Sequence, residues 1–423
     1  MKTASIFVCG VSVFAFLFSA GSAGLARENT LTGRISALQW YDSNANRTHT
    51  NTRSEWNTVL TPTMTLTTLG EHDSLALSYS PGLVYDNKTG ETRVDHYLGL
   101  DAAKELKRTT FDLHETFIRT ADPYTSEERD IEVADKRGKH KYWVNAFATS
   151  VGYTYAEDSV VTLGYANDIL KSKDSSTDDY VKHTPSIAVT YRFSPRWQAL
   201  LSDSYINGNF KRSEDLNINT SAFRLNHNFN PLNTVFGKFE YSKAHYRGPT
   251  EDYSVATPSA GWDYKVDPKT QVTIEVGISF LKRDVKSDRE APLYDLALTR
   301  ELRRGSFSVG GSGGFSERRF TGVVADGLSE FWAINATFDY KLLEDLTSNL
   351  HAGYRHDKYI ERTTDDTEKG LNAGVGLTYS FLRWYAFSAR YEYYKLNADV
   401  PTSEYNDNRV YLELIAQKDL LKW

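Results

Sequence analysis

The chain has 423 residues and a formal net charge of −6; 13% of its residues are aromatic, with 27 Tyr against one Cys and two Met. The near-balanced, slightly acidic charge argues against a nucleic-acid partner. Past the N-terminus no apolar run reaches the roughly 18–20 residues of a spanning helix, which excludes a polytopic helical membrane protein.

Residues 1–26 read as a signal peptide. Lys2 supplies the positive start, Ile6 to Phe18 a short apolar core, and Ser19 to Ala26 the small residues that suit cleavage after Ala23 or Ala26. The single Cys, Cys9, leaves with that segment, so residues 27–423 carry no disulfide and no thiolate metal site.

From Leu31 onward the pattern has period two. Val272, Ile274, Val276, Ile278 and Phe280 share one face while Gln271, Thr273, Glu275, Gly277 and Ser279 share the other. Leu371, Ala373, Val375, Leu377, Tyr379 and Phe381 repeat the scheme against Asn372, Gly374, Gly376, Thr378 and Ser380. Runs of about ten residues of this kind are strands with one apolar and one polar face.

The connections also alternate. Short ones carry turn residues, as in 69–73, 194–196, 230–232, 267–269, 303–305 and 343–345. Longer polar ones fall at 43–52, 87–92, 121–140, 171–178, 210–215, 247–252, 284–291, 318–328, 358–368 and 397–405. A propeller would need four strands in each stretch of about 40–45 residues with a recurring signature, and neither is present. Short turns at one end and long loops at the other predict an all-β fold: a single transmembrane antiparallel up-and-down β-barrel of about 20 strands over 27–423. A closed sheet also satisfies every backbone N–H and C=O inside lipid. The expected location is the bacterial outer membrane, with its lipid as one partner.

The polar face then lines a lumen. Lys238, Glu240, Glu275, Asp339, Lys341, Arg355, Arg390, Glu392 and, from one strand, Arg93 and Asp95 are the predicted lumen-lining residues. Charges there cost little and tune selectivity, whereas a Lys or Arg at mid-depth on the lipid face costs about 2–4 kcal/mol. Trp40, Tyr41, Trp56, Trp143, Trp197, Tyr205, Trp384, Tyr385, Tyr393 and Tyr394 lie near strand ends and are expected to form interfacial girdles. Gly310 to Gly314 sit inside a strand and point to close packing or a kink.

Enzymatic chemistry finds no support in the sequence. His114 and Glu115 are neighbours in one strand and point to opposite faces, so they form no dyad. No Ser elbow, His-Glu-x-x-His pair or phosphate-binding Gly loop is present, and Asp365 to Glu368 read as a solvated loop rather than a Ca²⁺ site. No catalytic residue and no cofactor is expected.

The segments Thr378 to Tyr394 and Tyr405 to Leu414 resemble the outer-membrane β-barrel porins encoded beside bacterial exopolysaccharide genes, and Leu60 to Gly82 is similar to that family's first hairpin. The resemblance implies a porin-like channel for solutes or exported polysaccharide, with polysaccharide export proteins as partners. Size, Tyr content and loop pattern are also similar to barrels of porin–cytochrome conduits. That resemblance implies a sheath around a multihaem cytochrome; the chain itself has no Cys-x-x-Cys-His for haem. Outer-membrane barrels commonly end in an aromatic residue with alternating apolar positions, which the barrel-assembly machinery reads. Trp423 and Leu421 fit, but Asp419 and Gln417 break the register set by Val410, Leu412, Leu414 and Ala416, so a bulge is expected near Lys418.

Overall fold

The computed structural model describes residues 27–122, 140–173, 177–321, 327–360, 366–399 and 404–423. The signal peptide expected over 1–26 lies outside them, as do most of the 121–140 loop and Asp365. The strands are β1 (Glu28–Asp42), β2 (Glu55–Leu69), β3 (Asp73–Asp86), β4 (Thr92–Glu105), β5 (Thr109–Thr120), β6 (Tyr142–Ala156), β7 (Ser159–Ser172), β8 (Tyr180–Ser194), β9 (Trp197–Phe210) and β10 (Leu216–Asn230). They continue with β11 (Asn233–Tyr246), β12 (Tyr253–Asp267), β13 (Thr270–Arg283), β14 (Arg289–Leu302), β15 (Gly305–Glu317), β16 (Leu328–Lys341), β17 (Leu346–Tyr359), β18 (Thr367–Phe381), β19 (Tyr385–Ala398) and β20 (Tyr405–Lys422). Each strand pairs antiparallel with the next, and β1 pairs with both β2 and β20. The 20-stranded sheet therefore closes on itself and leaves no edge.

Closure depends on a register correction. Along the β1–β20 seam Leu31 faces Leu421 but Thr32 faces Asp419, so Leu420 is the extra residue. The bulge expected near Lys418 sits at Leu420, and Gly33 is where it fits, because a Cβ there would meet Leu420 Cδ1 at 2.8 Å. The bulge puts Leu421 on the outward face that Leu414 and Leu412 occupy. Reciprocal backbone hydrogen bonds between Asn29 and Trp423 finish the seam at the short-turn end.

The Gly run behaves as a kink. Gly314 has φ +153, a value L side chains rarely adopt, and pairing of β15 with β14 stops at Gly313 while pairing with β16 continues. The end of β15 is thereby free to lean into the barrel mouth.

Candidate functional site: the barrel lumen

Strand alternation sorts the wall into two faces. Leu163, Ile187, Leu201, Phe223, Phe239, Val276, Ile334, Leu377, Tyr391 and Leu412 are exposed on the outer face. The alternate positions point inward. Those of β1–β5, β19 and β20 enclose a cavity of about 600 Å³, lined by Arg34, Arg93, Asp95, Tyr97, Arg390, Glu392, Tyr394, Tyr411 and Glu413 among others. A second cavity of about 540 Å³ lies toward the short turns and is lined by Arg304, Asp339, Lys341 and Asn349. Ser388 and Arg390 border both cavities, so the two meet at Arg390.

Of the ten residues predicted from sequence, Arg93, Asp95, Arg390 and Glu392 line the first cavity, and Asp339, Lys341 and again Arg390 the second. Lys238, Glu240 and Glu275 group elsewhere on the wall, with Lys238 Nζ at 3.1 Å from Glu240 and 3.6 Å from Glu275. Arg355 is buried against Asp357 at 2.8 Å, with Arg318 reaching the same carboxylate at 2.9 Å. Four of these pairs are spaced i, i+2, so one strand presents both partners on one face: Lys238–Glu240 and Arg355–Asp357, together with Arg93 to Asp95 at 3.2 Å and Arg390 to Glu392 at 3.4 Å.

Sequence reasoning missed the pairs that span different strands. Arg34 of β1 meets Glu413 of β20 at 3.1 Å. His351 of β17 reaches Glu392 of β19 at 2.8 Å across β18. Gly374 lies between them, and a Cβ there would overlap Glu392 Oε2 and the His351 ring. Gly374→Val is therefore expected to cost about 1–3 kcal/mol through overpacking. Gly376→Ala, whose Cβ would find neighbours at 3.9 Å, should leave the urea midpoint in detergent unchanged. His114, paired in sequence reasoning only with Glu115, instead meets Asp101 at 2.6 Å across the β4–β5 ladder, and Thr116 Oγ1 lies 3.1 Å from its Nε2. All three side chains face the first cavity.

The mouth at the long-loop end is narrowed from two sides. On one side Arg409 is fully buried and reaches Asp42 at 2.6 Å, Asp407 at 2.9 Å and Asp122 at 3.7 Å. Asp122 follows β5, so this contact brings the β5 end of the rim toward β20. On the other side Phe320, just after β15, reaches over to β8 and β9, with ring centroids 5.6 Å from Tyr180 and 5.2 Å from Phe210. Phe320 packs on a cluster that includes Leu216, Tyr246, Tyr253, Leu281 and Leu328. Two of the expected girdle residues need correction. Trp40 and Tyr394 line the first cavity, and Trp40 is 3% exposed with the Arg409 guanidinium 5.3 Å from its ring. Both sit at even positions, the inward face of β1 and β19, and strand-end location alone does not reveal face.

The long connections are tied to one another. Glu251 accepts hydrogen bonds from the Val285 and Lys286 N–H groups at 3.0 and 2.9 Å. Burial pushes its carboxyl up, but these N–H groups and the Arg283 and Lys286 charges outweigh burial and hold it below the usual carboxylate range. A folded value below the unfolded one means stabilisation that is present at neutral pH and lost as pH falls through the folded value. Hydrogen-exchange protection of the Val285 and Lys286 amides should accordingly persist at neutral pH and disappear on acidification through the lowered Glu251 titration.

Comparisons with known proteins agree with this wall. No curated protein matches the chain in sequence. Among solved structures, the siderophore receptor PirA from Acinetobacter baumannii is similar at TM-score 0.51 and 9% identity, over 94% of this chain and 81% of that one. The enterobactin-bound ferric enterobactin receptor PfeA from Pseudomonas aeruginosa gives TM-score 0.50 and 10% identity, over 92% and 81%. OpdO from Pseudomonas aeruginosa gives TM-score 0.44 and 12% identity, over 93% and 98%. The likenesses to PirA and PfeA concern the fold alone. Residues 328–418, which span the last five strands, match the family described as Putative beta-barrel porin 2. By that match and by its closed wall, the chain is similar to the porin-like β-barrels of the outer membrane.

Proposed function

We propose that the protein is an outer-membrane diffusion channel for small polar solutes. The observation that carries this reading is the pair of polar cavities meeting at Arg390 beneath a narrowed mouth. Twenty strands enclose an interior wide enough for water, since 16–18 already leave an aqueous channel. The walls are wet and mixed in sign, which suits passage of hydrated solutes by weak contacts rather than tight capture. The Arg409–Asp122 and Phe320–Lys182 contacts bridge the rim and favour small solutes over two other cargoes, a polysaccharide chain and an enclosed multihaem cytochrome.

Proteoliposome swelling tests the reading. Mono- and disaccharides should enter vesicles containing the protein, and oligosaccharides of increasing length should enter progressively more slowly. Vesicles that swell equally fast in long and short sugars would speak for a wide export pore. Haem absorbance that co-purifies from native membranes would speak for the conduit.

A further inference from the structure

One sector of the outer wall is built unlike the rest. Across β16–β20 the outward positions at mid-strand are Ile334, Leu350, Val375, Leu377, Tyr391 and Leu412, a continuous apolar surface. Across β5–β10 polar groups interrupt the apolar surface that Leu163, Ile187, Leu201 and Phe223 make there. Asp203 lies at the middle of β9 and shares the outward face with Leu201 and Tyr205, which are 56% and 40% exposed. It accepts hydrogen bonds from Ser221 Oγ at 2.6 Å and Asn219 Nδ2 at 3.3 Å on β10. Glu115, at the middle of β5, is opposite in face to the cavity-lining His114 and Thr116 and is hydrogen-bonded to Asn145 of β6. His183 of β8 joins Tyr165 of β7 at 2.8 Å on the same side as Ile187.

Hydrocarbon cannot hydrogen-bond these groups, and ionisable side chains at this depth mark sites turned to protein or water rather than to lipid. Asp203, a carboxylate with about four acceptor positions, takes hydrogen bonds from Ser221 and Asn219 and keeps acceptor capacity beyond them, whereas Glu115 is 5% exposed and covered by its own neighbours. The sector also sets acceptors and donors side by side: carboxylates on β5 and β9, with amides and an imidazole on β6, β8 and β10. Such a surface is complementary to itself, because a two-fold rotation lays carboxylates against donors.

We propose that the β5–β10 sector is the interface of a two-fold dimer, buried against a second copy of this chain within the membrane. The polar groups satisfy one another across the axis, while the apolar β16–β20 wall faces lipid. The inference rests on the wall being bilayer-embedded and does not depend on what the lumen conducts.

Leu201→Cys, in the sector but outside its hydrogen bonds, and Leu350→Cys, on the far wall, provide the test. Isolated outer membranes are treated with a short bifunctional thiol reagent and the products weighed by mass spectrometry. Leu201→Cys should give a product of twice the monomer mass and Leu350→Cys none. Adding Asp203→Leu and Asn219→Leu to Leu201→Cys should abolish the product while the heat-resistant folded band persists. A product joining Leu201→Cys to a different polypeptide would overturn the second-copy assignment. Monomer only, with both cysteines reacting equally fast with a lipid-soluble maleimide, would overturn the interface itself.

Discussion

Arg409→Ala is expected to lower the unfolding free energy of the barrel by about 3–5 kcal/mol, the typical consequence of removing one partner from a buried ion pair. The cause is local. Asp42 and Asp407 are fully buried, and Arg409 touches both at 2.6 and 2.9 Å. Without the guanidinium two carboxylates face each other in a site closed to water, at the seam where β20 returns to β1. Asp42 and Asp407 also hold the start of the β1–β2 connection through the Asn44 backbone N–H, so the mouth loosens with the seam. Urea titration in detergent, read by the heat-dependent shift of the folded band, measures the loss. Adding Asp42→Asn and Asp407→Asn to Arg409→Ala should recover part of it, because neutral amides no longer need a counter-charge. No recovery would show that the contact of the Arg409 guanidinium with the Trp40 ring matters more than its ion pairs.

Ala389→Arg should be nearly as damaging, by a different route. Ala389 lies between Phe387 and Tyr391 on the outward face of β19, opposite Leu377 and Leu412. A guanidinium there enters hydrocarbon at mid-depth, at a cost of about 2–4 kcal/mol. Arg390→Ala, one residue on, removes a charge from the lumen and should cost less, because the buried Glu392 keeps His351 as a partner at 2.8 Å. The contrast between neighbouring positions is the signature of strand alternation. Equal effects at 389 and 390 would mean the phase of β19 is misassigned.

How much of this was legible beforehand depends on the range of the information. Period-two alternation and the turn residues act within one strand or hairpin, so the strand count and the inward phase of Arg390 and Glu392 follow from local sequence, whereas closure rests on the pairing of the first strand with the last. The bulge was legible as a register conflict between Leu414 and Leu421, although its place at Leu420 depends on Gly33 in the partner strand. Pairs such as Arg34–Glu413, His351–Glu392 and Asp101–His114 join different strands, and no spacing in the chain encodes them. Trp40 and Tyr394 show the same limit: aromatic character and nearness to a strand end were visible, but parity decides between girdle and lumen. The polar character of the β5–β10 wall was legible in Asp203 and Glu115, yet it becomes anomalous only once the face of each strand is fixed.

The proposed channel is a lumen enclosed by the polar face, with Arg390 at the junction of its two cavities. Its most direct test is single-channel recording of Arg390→Cys and Ala389→Cys proteins in planar bilayers, before and after a membrane-impermeant, charged thiol reagent. Both proteins should carry an open-channel current, with a stepwise change in conductance for Arg390→Cys on adding the reagent and no change for Ala389→Cys. A response at Ala389→Cys with none at Arg390→Cys, or a bilayer that stays silent with folded protein inserted, would contradict it.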